Sequence, residues 1–235
     1  MDLMNTPPIV DVIIPAFNEE KSIGKVIGDI PTLVRHVVVA NNNSTDRTAE
    51  VAKAAGAQVV FEPQKGYGKA CLTAMDWVQQ QVVQPDILVF LDGDYSDYPQ
   101  ELELLIASIL EGKADLVIGS RSLGEREAGS MTFPQVFGNA LATMLMRCMY
   151  GAKFSDLGPF RAIHWRKLIA LGMVDQNFGW TIEMQIKAHQ AGLSYMEVPV
   201  TYRKRIGVSK VSGTVKGVFG AGYKIIFTIF KYWRP

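Results

Sequence analysis

Five short apolar runs in the first half of the chain, separated by stretches with helical spacing, constrain the fold more than any other feature. The runs are rich in β-branched residues, end at turn residues, and comprise residues 10–14, 36–40, 58–61, 86–91 and 115–119. Helical patterns cover 44–55, 67–83 and 99–111. This alternation predicts an α/β fold with a mostly parallel central sheet and helices on both faces. Ligands of such sheets bind at the carboxyl ends of the strands, so the loops after the runs are the candidate site.

The second half is less regular, with predicted helices at 136–150 and 181–191, a strand at 194–202, and a terminal helix from about Val215. No internal repeat or linker divides the 235 residues, of which 48% are apolar, so a single domain over 1–235 is expected. The formal net charge of +1 gives no general attraction for nucleic acid. Polyanion binding therefore has to come from local basic clusters.

Two carboxylates follow the fourth apolar run directly. Asp92 and Asp94 flank Gly93 in the segment Leu-Asp-Gly-Asp. Side chains two residues apart point the same way in extended backbone, so both carboxylates can face one cation. Two hard oxygen ligands suit Mg²⁺ or Mn²⁺, which would keep water and take further ligands from a substrate diphosphate. The alternative interpretation is a solvated Asp-Gly turn.

Three other loops carry polar or glycine-rich segments. After the first run, Phe17 offers a stacking face and Glu19 offers hydrogen-bond acceptors to a base edge, although the same residues could simply cap a helix. After the second run, the three asparagines at 41–43 exceed what helix capping needs. The segment 65–70, Lys-Gly-Tyr-Gly-Lys-Ala, places glycines and lysines at a helix start, a loose diphosphate site without the Walker spacing.

Taken in order, these segments resemble family 2 glycosyltransferases of the GT-A fold. The resemblance rests on Pro-x-Phe-Asn-Glu, Asn-Asn-Asn-Ser-Thr-Asp, Lys-Gly-Tyr-Gly-Lys-Ala, Leu-Asp-Gly-Asp and Gly-Ser-Arg, and covers roughly residues 10–215. The segments at 156–161 and 205–210 resemble the dolichyl- or polyprenyl-phosphate mannosyl- and glucosyltransferases. This implies inverting transfer of a hexose from a UDP- or GDP-sugar to a polyprenyl or dolichyl phosphate. The nucleotide-sugar half would be 10–120, the acceptor side 121–212, and an interfacial helix 213–235.

The resemblance also assigns roles to individual residues. Those expected to bind the donor are Pro15, Phe17, Glu19, Asn41, Lys69, Asp92, Gly93 and Asp94. Asp92 and Asp94 would also hold Mg²⁺ or Mn²⁺. The residues expected at donor or acceptor phosphates are Arg121, Arg161, Arg205 and Lys210. Asp156 is the expected base or acceptor-orienting carboxylate. Asn41 stands where the family commonly has Asp, and Ser96 where mannosyltransferase relatives often have a Gln metal ligand.

The terminal helix predicts contact with a membrane surface. An idealised helix over 215–233 places one set of apolar residues on one side and three lysines on the opposite side. The apolar residues are Val215, Val218, Ile225, Ile226, Ile229 and Trp233. Lysine and aromatic residues at its end favour an interfacial helix, while packing onto the core is the alternative. The chain lacks both an N-terminal secretory pattern and an uncharged apolar run of spanning length. A cytoplasmic protein, peripheral on the cytoplasmic membrane face, is expected.

Two other functions remain open at this point. A soluble family 2 glycosyltransferase could use a sugar or small-molecule hydroxyl as acceptor, but it would need a general base and would have no use for the terminal helix. A non-catalytic membrane-docking module would explain the helix but would leave the aligned carboxylates without a purpose.

Overall fold

A seven-stranded sheet forms the centre of the structure, a computed structural model that describes residues 7–207 and 215–233. The strands are β1 Val10–Ala16, β2 Val34–Asn41, β3 Gln58–Phe61, β4 Ile87–Phe90, β5 Leu116–Ser120, β6 Arg161–His164 and β7 Tyr195–Pro199. Their order in the sheet is β3-β2-β1-β4-β6-β5-β7, and every pair is parallel except those that β6 makes with β4 and β5. The predicted α/β class with a mostly parallel sheet is confirmed.

Helices cover both faces of this sheet, as the alternating pattern predicts. They are α1 Ile23–Gly28, α2 Thr48–Ala54, α3 Tyr67–Gln79, α4 Leu102–Leu110, α5 Phe133–Tyr150, α6 Trp165–Leu171, α7 Trp180–Gln190 and α8 Val215–Tyr232. Successive strand residues face opposite sides, so Ile13 enters the core under α3 and α5–α8, while Ile14 enters the core under α1, α2 and α4. Both cores are fully buried along the central strands.

The direction of β6 determines which segments reach the site. Because β6 runs antiparallel to its neighbours, it begins at the edge where β4 and β5 end, and Arg161 pairs with both Phe90 and Ile118. Residues 156–160 therefore lie beside the loops that follow the parallel strands. The periodicity of the sequence does not predict the bounds of this four-residue strand, nor those of the short helices α1 and α6.

Helix α8 lies against the body of the protein with one apolar face and leaves a second apolar face exposed. Ile229 is fully buried, and Ile225 packs against the core formed with α5 and α7. The exposed face comprises Tyr223, Ile226, Phe227, Phe230 and Trp233. The prediction of a single apolar stripe that includes Ile225 and Ile229 is therefore wrong, because these two residues face the core. Within the described residues, no helix combines the length and hydrophobicity needed to cross a membrane.

Candidate active site

The loops after β1 and β2 are joined by hydrogen bonds into one rim of the site. The backbone N–H of Asn18 donates to Ser44 Oγ at 3.0 Å, and the Asn18 side chain accepts from the Thr45 N–H at 2.8 Å. Glu19 N–H donates to Thr48 Oγ1 at 2.8 Å. Asn18 and Asn43 both have positive φ angles, of 56° and 59°, which asparagine tolerates better than most residues. The rim is thus held by its own side chains.

A cavity of about 450 Å³ lies inside this rim and is called here the carboxylate cavity. Its volume is in the range of small-molecule sites, about 300–1,000 Å³. Seven residues expected at the site line it: Pro15, Phe17, Glu19, Asp92, Gly93, Asp94 and Arg205. The Lys65 ammonium, also in the wall, lies 4.6 Å from the centre of the Phe17 ring. The cavity therefore combines an aromatic face, a cation and two carboxylates.

Asp92 and Asp94 enter the cavity from the turn after β4. Asp94 Oδ1 accepts from the Ser96 N–H at 2.9 Å and from Ser96 Oγ at 2.5 Å, while Oδ2 is paired with the Arg205 guanidinium. Asp92 Oδ1 accepts from the Tyr67 hydroxyl at 3.2 Å. Burial and the nearby Asp94 carboxylate raise the pKa of Asp92 to about 7, although Arg205 acts in the opposite direction. A cation between the two carboxylates would relieve this repulsion.

Backbone pairing brings Arg205, and not its two basic neighbours, to the carboxylates. Ile206 N–H donates to the Asp94 carbonyl at 2.9 Å, next to a bond from Arg203 N–H to the Ser96 carbonyl. The Arg203 guanidinium stacks 3.4 Å from the Tyr95 ring centre, and Lys204 pairs with Glu127 at 3.6 Å. The sequence alone left open which of these three cations faces the site.

The two carboxylates at this turn fit Mg²⁺ or Mn²⁺ as metal ligands. No group of three histidine, cysteine or carboxylate side chains that could hold a metal occurs in the part of the chain that the structure describes. Two adjacent carboxylates facing one cavity are nevertheless sufficient for a hard cation that keeps water and binds substrate phosphate. The guanidinium of Arg205 on Asp94 indicates that this pair attracts positive charge. The residues present therefore fit such an ion.

A second cavity, of about 290 Å³, lies between α5 and α8 and is called here the apolar cavity. Its wall is mainly hydrophobic and includes Met131, Pro134, Leu157, Pro159, Trp180, Ala221 and Ile225. Four residues line both cavities: Tyr67, Asp92, Phe178 and Arg205. The apolar cavity therefore leads from the outer helices to the carboxylates.

Arg121 lines the apolar cavity and is paired with a buried carboxylate behind it. Its Nε and Nη2 donate to the two oxygens of Asp156 at 2.9 and 2.6 Å, and its backbone N–H also donates to Asp156. Burial acts to lower the pKa of Arg121, but the Asp156 carboxylate outweighs it, and the pKa is raised. Asp156 is fully buried and does not line either cavity. Of the two roles expected for Asp156, a base would need access to a cavity, which Asp156 lacks; a role in orienting the acceptor, through Arg121, stays a prediction.

Arg161 also differs from its expected role. Its side chain is fully buried, and its guanidinium donates to the backbone carbonyls of Leu157, Gly158 and Thr181. With its donors used by carbonyls, Arg161 supports the segment before β6 and has no access to a phosphate in the cavities. This correction follows from the position of Arg161 as the first residue of an interior strand.

The family model described as Glycosyl transferase family 2 matches residues 11–172, well over half of the chain. The chain belongs to glycosyltransferase family 2. The matched region runs from the second residue of β1 past the end of β6, and it includes the rim, Asp92, Asp94 and the Arg121–Asp156 pair.

Several relatives resemble this chain over most of its length. An uncharacterized glycosyltransferase of Mycobacterium tuberculosis is 35% identical over 96% of both chains. A dolichyl-phosphate hexose transferase of Haloferax volcanii is 31% identical over 85% of each chain. Polyprenol monophosphomannose synthase of Mycolicibacterium smegmatis is 30% identical over 86% of this chain and 81% of that protein. The predicted resemblance to the polyprenyl-phosphate sugar transferases is confirmed.

A solved structure of the same fold is glucosyl-3-phosphoglycerate synthase from Mycobacterium tuberculosis in complex with Mn²⁺, UDP and glucosyl-3-phosphoglycerate. It matches with a TM-score of 0.74 and covers 95% of this chain and 79% of its own. The sequence identity is 22%, so the likeness is one of fold. The GT-A fold expected for a family 2 glycosyltransferase is thereby confirmed.

Two residues expected at the donor, Asn41 and Lys69, are absent from the wall of the carboxylate cavity, while a neighbour of each in the sequence lines it. Asn41 Oδ1 accepts from the Ser44 N–H at 3.1 Å, and Asn42 lines the carboxylate cavity instead. Lys69 pairs with Glu62 at 3.9 Å, while Lys65 of the same segment lines the cavity. Neither Asn41 nor Lys69 lines the carboxylate cavity, and their direct contact with the donor stays a prediction.

The remaining expectations concern Gly93 and Lys210. A Cβ atom at Gly93 would point toward the core and contact Ile14 and Ile23 at 3.4 and 3.5 Å. Gly93 therefore lines the cavity with its backbone. Lys210 lies outside the described residues.

Asp97 is a residue that the motifs do not identify. It is buried, and neither of its carboxylate oxygens has a hydrogen-bond partner among the residues that the structure describes. Burial, with the nearby carboxylates of Asp92 and Asp94, raises the pKa of Asp97 well above its usual value. In the sequence, only its position three residues after Asp94 indicates that Asp97 lies near the site. A solvated loop would also contain an Asp at such a position.

Proposed function

We propose that this protein transfers a hexose from a UDP- or GDP-sugar to a polyprenyl or dolichyl phosphate at the cytoplasmic face of a membrane, with Mg²⁺ or Mn²⁺. One observation carries the proposal. The apolar cavity between α5 and α8 shares Asp92 and Arg205 with the carboxylate cavity. A long apolar acceptor and a nucleotide sugar can therefore reach one common point.

The carboxylate cavity supports the donor half of this proposal. Phe17 offers a face to a base, and Lys65 adds positive charge beside it. Asp92 and Asp94 would hold the metal ion, which supplies positive charge to the leaving diphosphate. The solved synthase of the same fold was crystallised with Mn²⁺ and UDP, which supports a nucleoside diphosphate donor here.

The apolar cavity supports the acceptor half. Arg121 and Arg205 both line it, so an acceptor phosphate at its inner end would have two guanidinium groups within its reach. Asp156 keeps Arg121 oriented and charged. Relatives named dolichyl-phosphate hexose transferase and polyprenol monophosphomannose synthase support a polyprenyl phosphate as acceptor.

The chemistry follows from these positions. An oxygen of the acceptor phosphate attacks the anomeric carbon, a new carbon–oxygen bond forms, and the bond to the diphosphate oxygen breaks. The nucleoside diphosphate leaves with that electron pair, and the configuration inverts. A phosphate monoester is ionised at neutral pH, so the step needs no general base. The absence of a need for a general base agrees with the pairing of Asp156 with Arg121.

The exposed face of α8 supports a membrane location. Tyr223, Phe227 and Phe230 point outward on the helix that forms one wall of the apolar cavity. Contact of this face with lipid would bring the mouth of the cavity to the surface from which a polyprenyl chain enters. The protein would then be peripheral, held by partial burial of aromatic side chains.

The test is a transfer assay with UDP- and GDP-hexoses, Mn²⁺, and a polyprenyl phosphate in anionic liposomes. We expect a hexosyl phosphate lipid, detected by mass spectrometry, and its loss in excess EDTA. Transfer to a sugar or small-molecule hydroxyl, with no lipid product from any donor, would instead support the soluble glycosyltransferase. Absence of both transfer and metal-dependent nucleotide binding would support the non-catalytic module.

A further inference from the structure

Helix α8 is joined to the body by polar contacts as well as by its buried apolar face. Lys224 Nζ pairs with Asp175 Oδ2 at 3.0 Å, and the Tyr232 hydroxyl donates to Glu183 Oε1 at 2.7 Å. Asp175 and Glu183 are both buried. Lys224, whose side chain is 35% exposed, therefore pairs with a carboxylate that is only 5% exposed.

Asp175 also organises the segment that follows it. Its Oδ1 accepts from the Asn177 N–H at 2.7 Å and from the Gly179 N–H at 3.0 Å. Its own N–H donates to Glu183 Oε2 at 2.7 Å. One carboxylate thus holds the turn 175–179 with one oxygen and helix α8 with the other.

This turn forms part of the wall of the carboxylate cavity. Asn177 and Phe178 line that cavity, and Phe178 also lines the apolar cavity. On its inner side the Gln176 carbonyl accepts from the Lys69 N–H at 2.9 Å. A Cβ atom at Gly66 would lie 2.2 Å from the Gln176 carbonyl oxygen, so the turn is pressed against the start of α3. It has little freedom to adjust independently of its neighbours.

We propose that the Lys224–Asp175 ion pair is a positioning contact through which α8 holds Asn177 and Phe178 against the nucleotide sugar. This inference rests on the proposed function, since it takes the carboxylate cavity as the donor site. Neither side chain of the pair lines the carboxylate cavity or the apolar cavity. Their role is to make donor affinity depend on how α8 is seated, so the helix that meets the membrane also completes the donor site.

Two variants that keep side-chain size test this contact. Asp175→Asn retains Oδ1 for the turn but removes the charge that faces Lys224, and Lys224→Met keeps the aliphatic stem. Each should weaken binding of UDP or GDP with Mn²⁺ by about fivefold or more, the lower end of typical coupling between sites. The value of kcat at saturating donor should change far less than the donor KM. Lys224→Arg keeps the charge and should bind the nucleotide with nearly wild-type affinity. Lys231→Met removes the same charge from an exposed position on α8 and should leave nucleotide affinity unchanged.

A double-mutant cycle and hydrogen exchange separate positioning from a general structural effect. If the two residues act through one contact, the double variant should bind no more weakly than either single variant. Because coupling is reciprocal, nucleotide binding should also raise the protection of backbone amides in 225–232 of the wild type but not of the variants. Unchanged affinity in both single variants, or additive losses in the double variant, would overturn the inference. A wild type that binds neither nucleotide would contradict the proposed function itself.

Discussion

Among single residues, Asp94 is the side chain on which the proposed chemistry depends most, because its charge faces both Arg205 and the proposed metal ion. Asp94→Asn keeps the oxygen that accepts from Ser96 and removes the charge that faces Arg205 and a metal ion. Mn²⁺-dependent nucleotide affinity should fall by at least about 100-fold, beyond the 10–100-fold typical of losing an outer-shell partner. Calorimetry measures this, with Asp76→Asn on the exposed side of α3 as the control. Wild-type affinity in the variant would refute the assignment.

Asp97 should make the stability of the metal-free protein depend on pH. Its pKa is raised in the folded state, so its contribution to the free energy of unfolding is greatest below the unfolded pKa, about 3.9. That contribution is lost as the pH rises toward the folded-state pKa, by about 1.4 kcal/mol for each pH unit between the two values. Asp97→Asn should therefore raise the thermal midpoint at pH 8 and have much less effect at pH 4. A difference between the two proteins that does not vary with pH would contradict this account.

The sequence predicts the chemistry of the site better than the identity of each contact. Asp92, Asp94 and Phe17 line the carboxylate cavity because they follow strands whose ends lie at one edge. The sequence does not show which of Lys65 and Lys69 lines the cavity, because both flank the same glycines. Only the path of the chain before α3 distinguishes them. The pairing of Asp156 with Arg121 depends on the reversed direction of β6, which no local pattern announces.

At the scale of elements, α8 illustrates why a helical wheel could not decide between packing and membrane contact. Its apolar residues form two faces, one toward α5 and α7 and one toward solvent, and both contain isoleucine and aromatic side chains. Only the tertiary structure shows that Ile229 is buried while Phe227 is 46% exposed. Both interpretations of the terminal helix therefore describe part of it.

The exposed face makes a specific prediction about membrane binding. Phe227 and Phe230 are 46% and 54% exposed. If each regains about a third of the roughly 1.5–3 kcal/mol of full burial, replacing both by Ser should weaken liposome binding about 5–30-fold. Flotation with anionic liposomes measures this, and circular dichroism should remain unchanged. Ile229→Ser is the contrasting variant, because its burial predicts a lower thermal midpoint. Equal flotation of the double variant and the wild type would argue against the membrane face.

The remaining elements show what local pattern can and cannot supply. Helix α5 follows from a capping box between Thr132 and Gln135 and ends at Gly151 with a φ of 72°, close to its predicted span. Strand β6 has only four residues and begins with a buried arginine, so neither alternation nor apolar content marks its start. A short interior strand of this kind is defined by its neighbours.

Across the whole molecule, the edge of the sheet that carries Asp92 and Asp94 lies beside a helical layer, and the two cavities there share four lining residues. The edge is formed by the ends of the parallel strands, and the helical layer by α5, α7 and α8. We expect the apolar cavity between α5 and α8 to take the lipid of the acceptor. Gly138 and Gly222 line this cavity, and a Cβ atom at either position would meet nothing within 4 Å.

The most direct test is kcat/KM for a long-chain polyprenyl phosphate in Gly222→Leu compared with Gly220→Leu. Both positions have room for a side chain and both changes favour the helix, but only Gly222 lines the cavity. We predict a loss of about tenfold or more in Gly222→Leu, the effect of about 1.4 kcal/mol, with Gly220→Leu and Mn²⁺-dependent nucleotide affinity unchanged. Equal kcat/KM in the two variants would contradict the assignment of this cavity to the acceptor lipid.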